Sequence, residues 1–364
     1  MRRQPIEEET MSLHMHRHSI FCILPPHILH EMARNGTKDQ REAALRTLAL
    51  DSTARSMRAT AQFQASAAQI SPVVTAAVPQ RTIYDGGHEQ NLPGRTVRSE
   101  GGAATADVAV DQAYDGLGAT FDLYLKVYGR NSIDGHGMHL DATVHYGDRY
   151  NNAFWNGQQM IFGDGDGVAF GSFTAALDVI GHELSHGVTA HEANLTYLGQ
   201  PGALNESFSD VIGSLVKQYA LGQDAKSADW LIGKGLLKAN PDQALRSMKA
   251  PGTAYDNPLM GKDPQPATMD HYVNTGEDNG GVHINSGIPN HAFFIVADAL
   301  GGSAWQRAGQ IWYDTIRDPR LAHSATFSQF ATRTVFNAGH RYGTASQEQK
   351  AVISAWKEVR VATH

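Results

Sequence analysis

The chain has 364 residues, a net charge of −7, 41% hydrophobic residues and one cysteine. This length allows two domains and an appendage with a substantial core, whereas the negative charge argues against nucleic acid or an anionic membrane as a partner. A single cysteine excludes an intrachain disulfide, which suits synthesis in a reducing compartment.

The N-terminus lacks the pattern of a secretory signal. Residues 2–3 are basic, but an acidic run at 7–9 stands where an apolar segment is needed, and the apolar run 20–24 is short and ends at two prolines. No apolar run reaches membrane-spanning length. We therefore expect synthesis in the cytoplasm and no membrane partner, and we leave open release by a non-classical route.

The first 80 residues differ in composition from the rest. Residues 1–17 are polar, residues 19–29 are apolar, and residues 38–50 have helical spacing. Residues 52–78 are rich in Ala, Ser, Thr and Gln, a composition typical of a linker.

Two regions of different secondary structure follow. Residues 81–171 are rich in glycine and carry short β-type runs such as 142–146, interrupted by a helical stretch at 107–127. Beyond residue 190 helical spacing predominates, and it predicts helices over residues 207–219, 287–300, 304–315 and 347–361.

The motif His182-Glu183-Leu184-Ser185-His186 is the most informative part of the chain. Apolar residues recur at three- and four-residue intervals across residues 175–190, which predicts a helix. Residues four apart share a helix face, so His182 and His186 can bind one metal ion. Two imidazoles suit zinc, and Glu183 can take a proton from an activated water molecule. The motif indicates metal-assisted hydrolysis, with an accidental match on a solvated helix as the alternative.

A zinc site of this kind needs a third protein ligand. Residues 202–213 are typical of a helix start, with Asn205 or Ser207 near the N-cap. Glu206 and Asp210 are four apart and share a face. One can bind the metal while the other fixes the ring of a ligating histidine. An ordinary acidic helix N-terminus is the alternative.

With these motifs the chain resembles the thermolysin-like zinc metallopeptidases, and within them the protealysin-like branch. The resemblance covers most of residues 80–360 and rests on the segments 151–157, 161–167, 182–186, 202–213, 245–248 and 278–287. It implies a two-lobed α+β fold, with a sheet-rich N-terminal lobe, a helical C-terminal lobe and the zinc helix between them.

The resemblance implies a role at the metal for five residues. The zinc ligands correspond to His182, His186 and Glu206. The polar residues behind the ligating histidines correspond to Asp210 and Asn205.

Four further residues correspond to groups that act on the substrate. The general base corresponds to Glu183, and the groups that stabilise charge on the carbonyl oxygen correspond to Tyr197 and His283, with Asp278 orienting His283. A phenol and an imidazolium suit that charge. A packing role for the tyrosine and a loop role for the histidine are the alternatives.

Substrate binding is implied by other positions. Asn152 and Ala153 correspond to an edge strand that binds the substrate backbone by strand addition, and Arg246 corresponds to a bidentate grip on a substrate carbonyl. We expect cleavage on the amino side of a bulky apolar residue. At the position of Phe173 the family has a smaller aliphatic residue, so we expect a narrower pocket here. The apolar pocket corresponds to Phe170, Phe173, Val179 and Leu245.

The double calcium site of calcium-rich relatives is not predicted here. Lys217 stands where those relatives have a glutamate, opposite Asp178, so an ammonium can replace the charge of the ion. Calcium at Asp164 and Asp166 stays open, although Asp-Gly repeats are more often turns. We therefore expect Zn²⁺, with Ca²⁺ undecided elsewhere.

The expected organisation is an N-terminal extension and propeptide over residues 1–60 (the leader), a linker over 61–80, a sheet-rich lobe with the zinc helix over 81–190, and a helical lobe over 191–364. The Pro25-Pro26 pair of the leader resembles the propeptide of protealysin-like precursors. The leader can block the cleft until the linker is cut. Positions suited to follow a self-cleaved bond are Met57, Phe63 and Ile70.

The role of Cys22 stays open. Cys22 can be a small packing residue, which we favour, or a zinc ligand in the latent form.

The chain is expected to be a zinc endopeptidase that acts on peptides or proteins and is held latent by its own propeptide. The alternative is a proteolytically silent interaction module that keeps its leader, but Glu183, Tyr197 and His283 together favour the enzyme.

Overall fold

The computed structural model describes residues 21–65 and 77–363, with the side chains of all of these except Phe21 and residues 52–65. The strands of this part of the chain are β1 (Phe21–Cys22), β2 (Arg81–Asp85), β3 (Arg95–Ser99), β4 (Leu140–Val144), β5 (Ala153–Trp155), β6 (Gln159–Phe162), β7 (Leu231–Ile232), β8 (Arg246–Ser247), β9 (Asp256–Asn257) and β10 (Gly261–Lys262). The helices are α1 (Pro26–Asn35), α2 (Lys38–Ala65), α3 (Val108–Tyr128), α4 (Leu177–His191), α5 (Gly199–Leu221), α6 (Asp278–Asn285), α7 (Gly287–Leu300), α8 (Ala308–Ile316), α9 (Phe327–Tyr342) and α10 (Gln347–Glu358).

The main sheet combines the leader with the N-terminal lobe. Its strand order is β1-β5-β6-β4-β2-β3. Strands β2, β4 and β6 run parallel, so their carboxyl ends meet at one edge of the sheet, whereas β5 runs antiparallel to β6. Strand β1 of the leader pairs antiparallel with β5, with Cys22 opposite Phe154. The segment predicted as an edge strand is therefore covered by the leader.

The two lobes follow the predicted division of secondary structure. Helix α3 begins after its N-cap Asp107, whose carboxylate accepts from the backbone N–H groups of Ala109 and Val110. It packs against β2, β4 and α4. After α4 the chain is mainly helical, and the rings of Trp312 and Trp356 stack in the C-terminal core. The α+β, two-lobed prediction is confirmed.

Helices α4 and α5 approach each other at glycine residues. A Cβ atom at Gly213 would lie 2.3 Å from the carbonyl oxygen of Asp178, and one at Gly181 would lie 3.0 Å from Val216. A larger residue at position 213 would force the backbones apart. The close approach brings the polar face of α5 against the imidazoles of α4.

Several helix boundaries differ from those predicted. Helix α5 begins at Gly199, so the N-cap predicted at Asn205 or Ser207 is wrong. Both residues lie inside the helix, where Asn205 binds His186 instead of capping the backbone. Helix α8 begins at Ala308, four residues later than predicted. Helix α9 was not predicted.

Helix α2 continues to Ala65, into the segment with linker composition. Alanine and glutamine favour helix as well as linker, so composition alone does not separate the two. Of the proposed cleavage positions, Met57 and Phe63 lie on α2 with undescribed side chains, and Ile70 lies outside the described residues. No helix of the described part has the length and apolar character needed to cross a membrane.

Lys217 joins α5 to α4 and to the segment before β7. Its ammonium donates to Asp178 at 2.8 Å, to Asp229 at 2.9 Å and to the carbonyl of Leu231 at 2.6 Å. Asp178 is 1% exposed. The predicted pair of Lys217 and Asp178 is confirmed, and burial makes it expensive to break.

Replacing Lys217 with alanine should lower the free energy of unfolding by about 3–5 kcal/mol, because the buried carboxylate of Asp178 loses its counter-charge. Urea unfolding of the Glu183→Ala protein, in which self-digestion is prevented, measures this loss. The matched control is Lys226→Ala, which breaks the exposed pair with Asp298 and should cost less than about 1 kcal/mol. Equal losses in the two variants would contradict the structural role of Lys217.

Candidate active site

Three buried side chains converge between α4 and α5. The Nε2 atoms of His182 and His186 lie 3.0 Å apart. Glu206 on α5 places Oε2 3.4 Å from Nε2 of His182 and Oε1 3.5 Å from Nε2 of His186. One ligand atom from each residue thus faces a common point.

The other nitrogen of each ring is held by an acceptor. Nδ1 of His182 donates to Oδ1 of Asp210 at 2.8 Å, and Nδ1 of His186 donates to Oδ1 of Asn205 at 2.8 Å. Each Nε2 is then left with a lone pair, aimed at the other lone pair and at a carboxylate.

Such a donor set repels itself unless a cation lies among the three groups. A tetrahedral zinc ion with bonds of about 2.1 Å separates its ligand atoms by about 3.4 Å. The observed separations therefore fit zinc, with His182, His186 and Glu206 as its ligands. Of the two acids that the sequence left open, Glu206 faces the common point and Asp210 lies behind a histidine.

Asp210 is the most heavily hydrogen-bonded acid of the site. It accepts from His182, from Nε and Nη2 of Arg246 at 2.7 and 2.8 Å, and from Nδ2 of Asn290 at 2.8 Å. Burial alone would raise the pKa of Asp210, but Arg246 and His182 outweigh it and hold that pKa well below its usual range. The carboxylate therefore stays charged.

Arg246 makes its bidentate contact with Asp210, and not with a substrate carbonyl as predicted. Nε and Nη2 bind Asp210, and Nη1 alone donates to the carbonyl of Ile23 in the leader, at 2.9 Å. A fully buried guanidinium needs a counter-charge more than it needs a neutral carbonyl, which explains why the paired N–H groups face the carboxylate.

A left-handed turn positions Asp278 beside His283. Asn279, Gly280 and Gly281 have φ values of 50°, 82° and 75°, which glycine adopts without strain. The turn lets Asp278 accept from Nδ1 of His283 at 2.6 Å and from its backbone N–H at 2.9 Å. Burial lowers the pKa of His283, but Asp278 and then Glu206 outweigh burial and raise that pKa to about 9.

Tyr197 and Glu183 complete the polar lining. The hydroxyl of Tyr197 donates to Oε1 of Glu206 and lies 3.4 Å from Nε2 of His283. Oε2 of Glu183 accepts from the backbone N–H of Trp155 in β5 at 3.1 Å. Tyr197, His283 and Asp278 thus lie together, and Glu183 lies on α4 between the two ligating histidines.

The leader occupies the cleft as an extended strand. The N–H of Ile23 donates to the carbonyl of Ala153 at 3.3 Å, and the N–H of Leu24 donates to Oδ1 of Asn152 at 3.0 Å. The carbonyl of Cys22 accepts from Nε2 of His283 at 3.0 Å. The peptide bond between Cys22 and Ile23 therefore lies across the predicted substrate-binding residues.

A second part of the leader binds the segment that directly precedes β5. Oδ2 of Asp51, on α2, accepts from Nδ2 of Asn152 at 3.0 Å, and Oδ1 accepts from the hydroxyl of Tyr150. Thr47 accepts from the N–H of Asn151 at 3.0 Å. Asp51 could not be predicted from the sequence, because one acid in an alanine-rich helix carries no recognisable pattern. The hydrogen bond from Asn290 to Asp210 could not be predicted either.

The predicted pocket residues lie in the core. Phe173, Val179 and Leu245 are at most 1% exposed, and Phe170 lies against Phe173 with ring centroids 5.7 Å apart. Ile23 of the leader belongs to the same continuous apolar cluster.

Cys22 packs in a separate apolar cluster with Tyr146, Tyr150, Phe154 and Ile161. It is not among the described residues whose ligand atoms converge with those of His182, His186 and Glu206. The packing interpretation of Cys22 therefore fits the structure.

Comparison with known proteins gives the family. The model "Thermolysin metallopeptidase, catalytic domain" matches residues 47–190, and "Thermolysin metallopeptidase, alpha-helical domain" matches residues 193–361. The chain belongs to the thermolysin family of metallopeptidases. An extracellular metalloprotease of Pectobacterium carotovorum subsp. carotovorum is 50% identical over 345 residues, which are 94% of this chain and 96% of that protein.

Two other relatives refine the assignment within the thermolysin family. Protease PrtS of Photorhabdus sp. (strain Az29) is 47% identical over 348 residues, 93% of this chain and 91% of that protein. The precursor of protealysin, a metalloproteinase from Serratia proteamaculans, superposes with a TM-score of 0.85 at 51% identity and covers 94% of this chain and 100% of its own. The protein is thus a protealysin-like zinc metalloendopeptidase with a propeptide, and the prediction of a zinc protease is confirmed.

His27 of the leader lies in surroundings that disfavour its charged form. Its Nε2 lies 3.0 Å from the hydroxyl of Tyr255, and its buried Nδ1 has no hydrogen-bond partner among the residues that the structure describes. Burial lowers the pKa of His27 to about 4. The nearby charges are Asp278 and Glu31, which raise this pKa, and His283 and Arg246, which lower it. The folded state therefore disfavours the charged ring.

Because the pKa of His27 is lower when folded than the usual value of about 6.5, its contribution to stability is full above pH 6.5 and is lost as the pH falls towards 4. Between pH 7.5 and pH 5 the Glu183→Ala precursor should lose about 2 kcal/mol more unfolding free energy than the same protein with His27→Gln. Urea unfolding at the two pH values measures the difference. The exposed His30→Gln is the control, and a loss that His27→Gln leaves unchanged would refute the prediction.

Proposed function

We propose that the protein cleaves peptides on the amino side of a bulky apolar residue and that its leader occupies the cleft in the manner of a substrate. The observation that carries the proposal is the path of the leader. The carbonyl of Cys22 receives a hydrogen bond from His283, and the carbonyl of Ile23 receives one from Arg246. A substrate on this path would have its scissile bond where Cys22 joins Ile23.

We assign the binding of the peptide backbone to Asn152, Ala153 and Arg246. All three contact the main chain of the leader, which carries no sequence information, so they suit any extended peptide. Strand addition to β5 supplies orientation, since the N–H and C=O groups of the edge strand fix the direction of the added chain.

Zinc, when bound by His182, His186 and Glu206, supplies a Lewis acid that polarises the substrate carbonyl and lowers the pKa of water. We assign to Glu183 the removal of a proton from the attacking water and its transfer to the leaving amine. His283, kept protonated by Asp278, and Tyr197 donate to the carbonyl oxygen as it gains negative charge.

The apolar specificity is proposed from the position of Ile23. Its side chain is fully buried in the main apolar core of the protein, to which Phe173, Val179 and Leu245 also belong. Burying a leucine-sized side chain is worth about 1.5–3 kcal/mol, whereas an aspartate in the same place would lose its hydration. An apolar residue after the scissile bond is therefore favoured.

Latency follows from the same contacts. The leader covers β5, while Asp51 binds the side-chain amide of Asn152. A substrate strand cannot pair with β5 while β1 does. Cutting the linker removes the tether that keeps the leader at high effective concentration. The relatives are proteases, and none of these comparisons supports the alternative of a silent interaction module.

In fluorogenic peptides that differ only after the scissile bond, leucine should give a kcat/KM about 10–200-fold above alanine, and aspartate should be hydrolysed more slowly still. Phe173→Val should enlarge the pocket and raise the phenylalanine-to-leucine ratio of kcat/KM. Each ratio compares two substrates with the same enzyme sample, so a loss of folded protein does not change the ratio. A ratio that does not change in Phe173→Val would remove Phe173 from the pocket.

The Glu183→Ala precursor should retain zinc and lose proteolysis, because Glu183 is assigned to the proton and not to the metal. Intact mass over time should show the wild type losing its leader while Glu183→Ala stays full length, and metal analysis should show equal zinc in both. The exposed Glu358→Ala is the control and should process like the wild type. Loss of zinc from Glu183→Ala would show that Glu183 is a ligand.

A further inference from the structure

A second group of metal-ligating side chains lies at the carboxyl ends of the parallel strands. His88 follows β2, His145 follows β4 directly, and Asp164 follows β6. Because β2, β4 and β6 are parallel neighbours, their ends bring these three residues to one edge of the sheet. None of the three belongs to the catalytic site described above.

The ligand atoms of this group lie close together. Nδ1 of His145 lies 2.8 Å from Oδ2 of Asp164, and Nδ1 of His88 lies 3.5 Å from the same oxygen. One ligand atom from each residue lies within 4.8 Å of the other two. The 3.5 Å separation is close to that of ligands that share one tetrahedral ion, about 3.4 Å, whereas the 2.8 Å separation is a hydrogen bond that an ion between the two atoms would lengthen. His88, at 62% exposure, has room to adjust its side chain.

The ring of His145 is oriented as a metal ligand usually is. Its Nε2 donates to Oδ2 of Asp107 at 2.8 Å, so Nδ1 is the atom that faces the group. Asp107 is fixed in turn as the N-cap of α3, where its other oxygen accepts from the N–H of Ala109 at 2.9 Å. A carboxylate behind a ligating imidazole is also what Asp210 provides for His182 at the catalytic site.

The backbone holds both histidines in a conformation that costs free energy. His88 has φ of 62° and His145 has φ of 53°, in the left-handed region that non-glycine residues seldom occupy. The N–H of His88 donates to the carbonyl of His145 at 2.8 Å, which keeps the two residues adjacent. Such strain often accompanies a functional site, because the surrounding structure must be built to maintain it.

We propose that His88, His145 and Asp164 form a second metal site, for a divalent transition ion of the Zn²⁺ class. Two imidazoles and one carboxylate suit zinc and its neighbours, whereas Ca²⁺ requires six or more oxygen ligands. The ion replaces the proton between Nδ1 of His145 and Asp164, and that proton goes to solvent. Three protein ligands leave a coordination position for water.

The site would stabilise the loops that support the substrate-binding strand. It would join the turn after β2 to the ends of β4 and β6. Two residues after Asp164, the N–H of Asp166 donates to Oδ1 of Asn151 at 2.7 Å, next to Asn152. The competing interpretation is that His145 is only a cation paired with Asp107 and Asp164.

The test is a zinc titration of the full-length Glu183→Ala precursor whose catalytic site already holds zinc. Calorimetry measures the binding, and thermal unfolding measures the change in the midpoint temperature. We expect one further equivalent to bind and to raise that midpoint. His88→Ala should weaken this further equivalent at least tenfold and abolish the rise, while the catalytic zinc stays bound. His88 is exposed, so the variant should fold.

The matched control is His139→Ala. His139 also pairs with an aspartate, with Nδ1 2.9 Å from Oδ1 of Asp141. Among the described residues, however, it belongs to no group of three metal-ligating side chains. This variant should bind the further equivalent as the parent does. The proposal is overturned if the parent binds no further equivalent, or if His88→Ala binds it with unchanged affinity, because the ion then lies elsewhere.

Discussion

The carboxylate of Asp210 links the histidine that faces the metal site to the arginine that binds the leader. It fixes the ring of His182 and pairs with Arg246, and Arg246 holds the carbonyl of Ile23. All of these groups are buried, so the charges of Asp210 and Arg246 must balance inside the protein. The position of the ligating imidazole and the position of the bound peptide therefore cannot vary independently. This coupling suits a reaction in which the metal and the scissile carbonyl must meet in one geometry.

The leader pairs with backbone groups of β5 that would lack partners without it. Strand β5 presents backbone N–H and C=O groups that need partners, and β1 supplies them in the precursor. Once the leader leaves, the same groups can bind an extended substrate. In the proposed mechanism, inhibition by the leader and recognition of the substrate use the same hydrogen bonds, so departure of the leader exchanges the first for the second. Asp51 and Thr47 add contacts that a short peptide substrate would lack.

Much of the site could be predicted because it is encoded by local spacing. The four-residue interval between His182 and His186, and between Glu206 and Asp210, fixes which side chains share a helix face. The glycines at 181 and 213 only become meaningful once α4 and α5 are known to be neighbours. Asp51, Asn290 and the double pairing of Arg246 with Asp210 depend on contacts between residues far apart in the chain. Sequence spacing carries no record of such contacts. The start of α5 was misplaced for a related reason, because Asn205 serves a tertiary contact and not a cap.

Lys217 gives the contact between α4 and α5 a property that a bound ion could not give. An ion dissociates, so its stabilising effect falls with its concentration in the surroundings. The ammonium of Lys217 is part of the chain and is always present beside Asp178 and Asp229. Burial lowers the pKa of Lys217, but Asp178 and then Asp229 outweigh it and raise that pKa above its usual value. The helix pair that carries the zinc ligands is therefore held by a charge that neither dilution nor a chelator can remove.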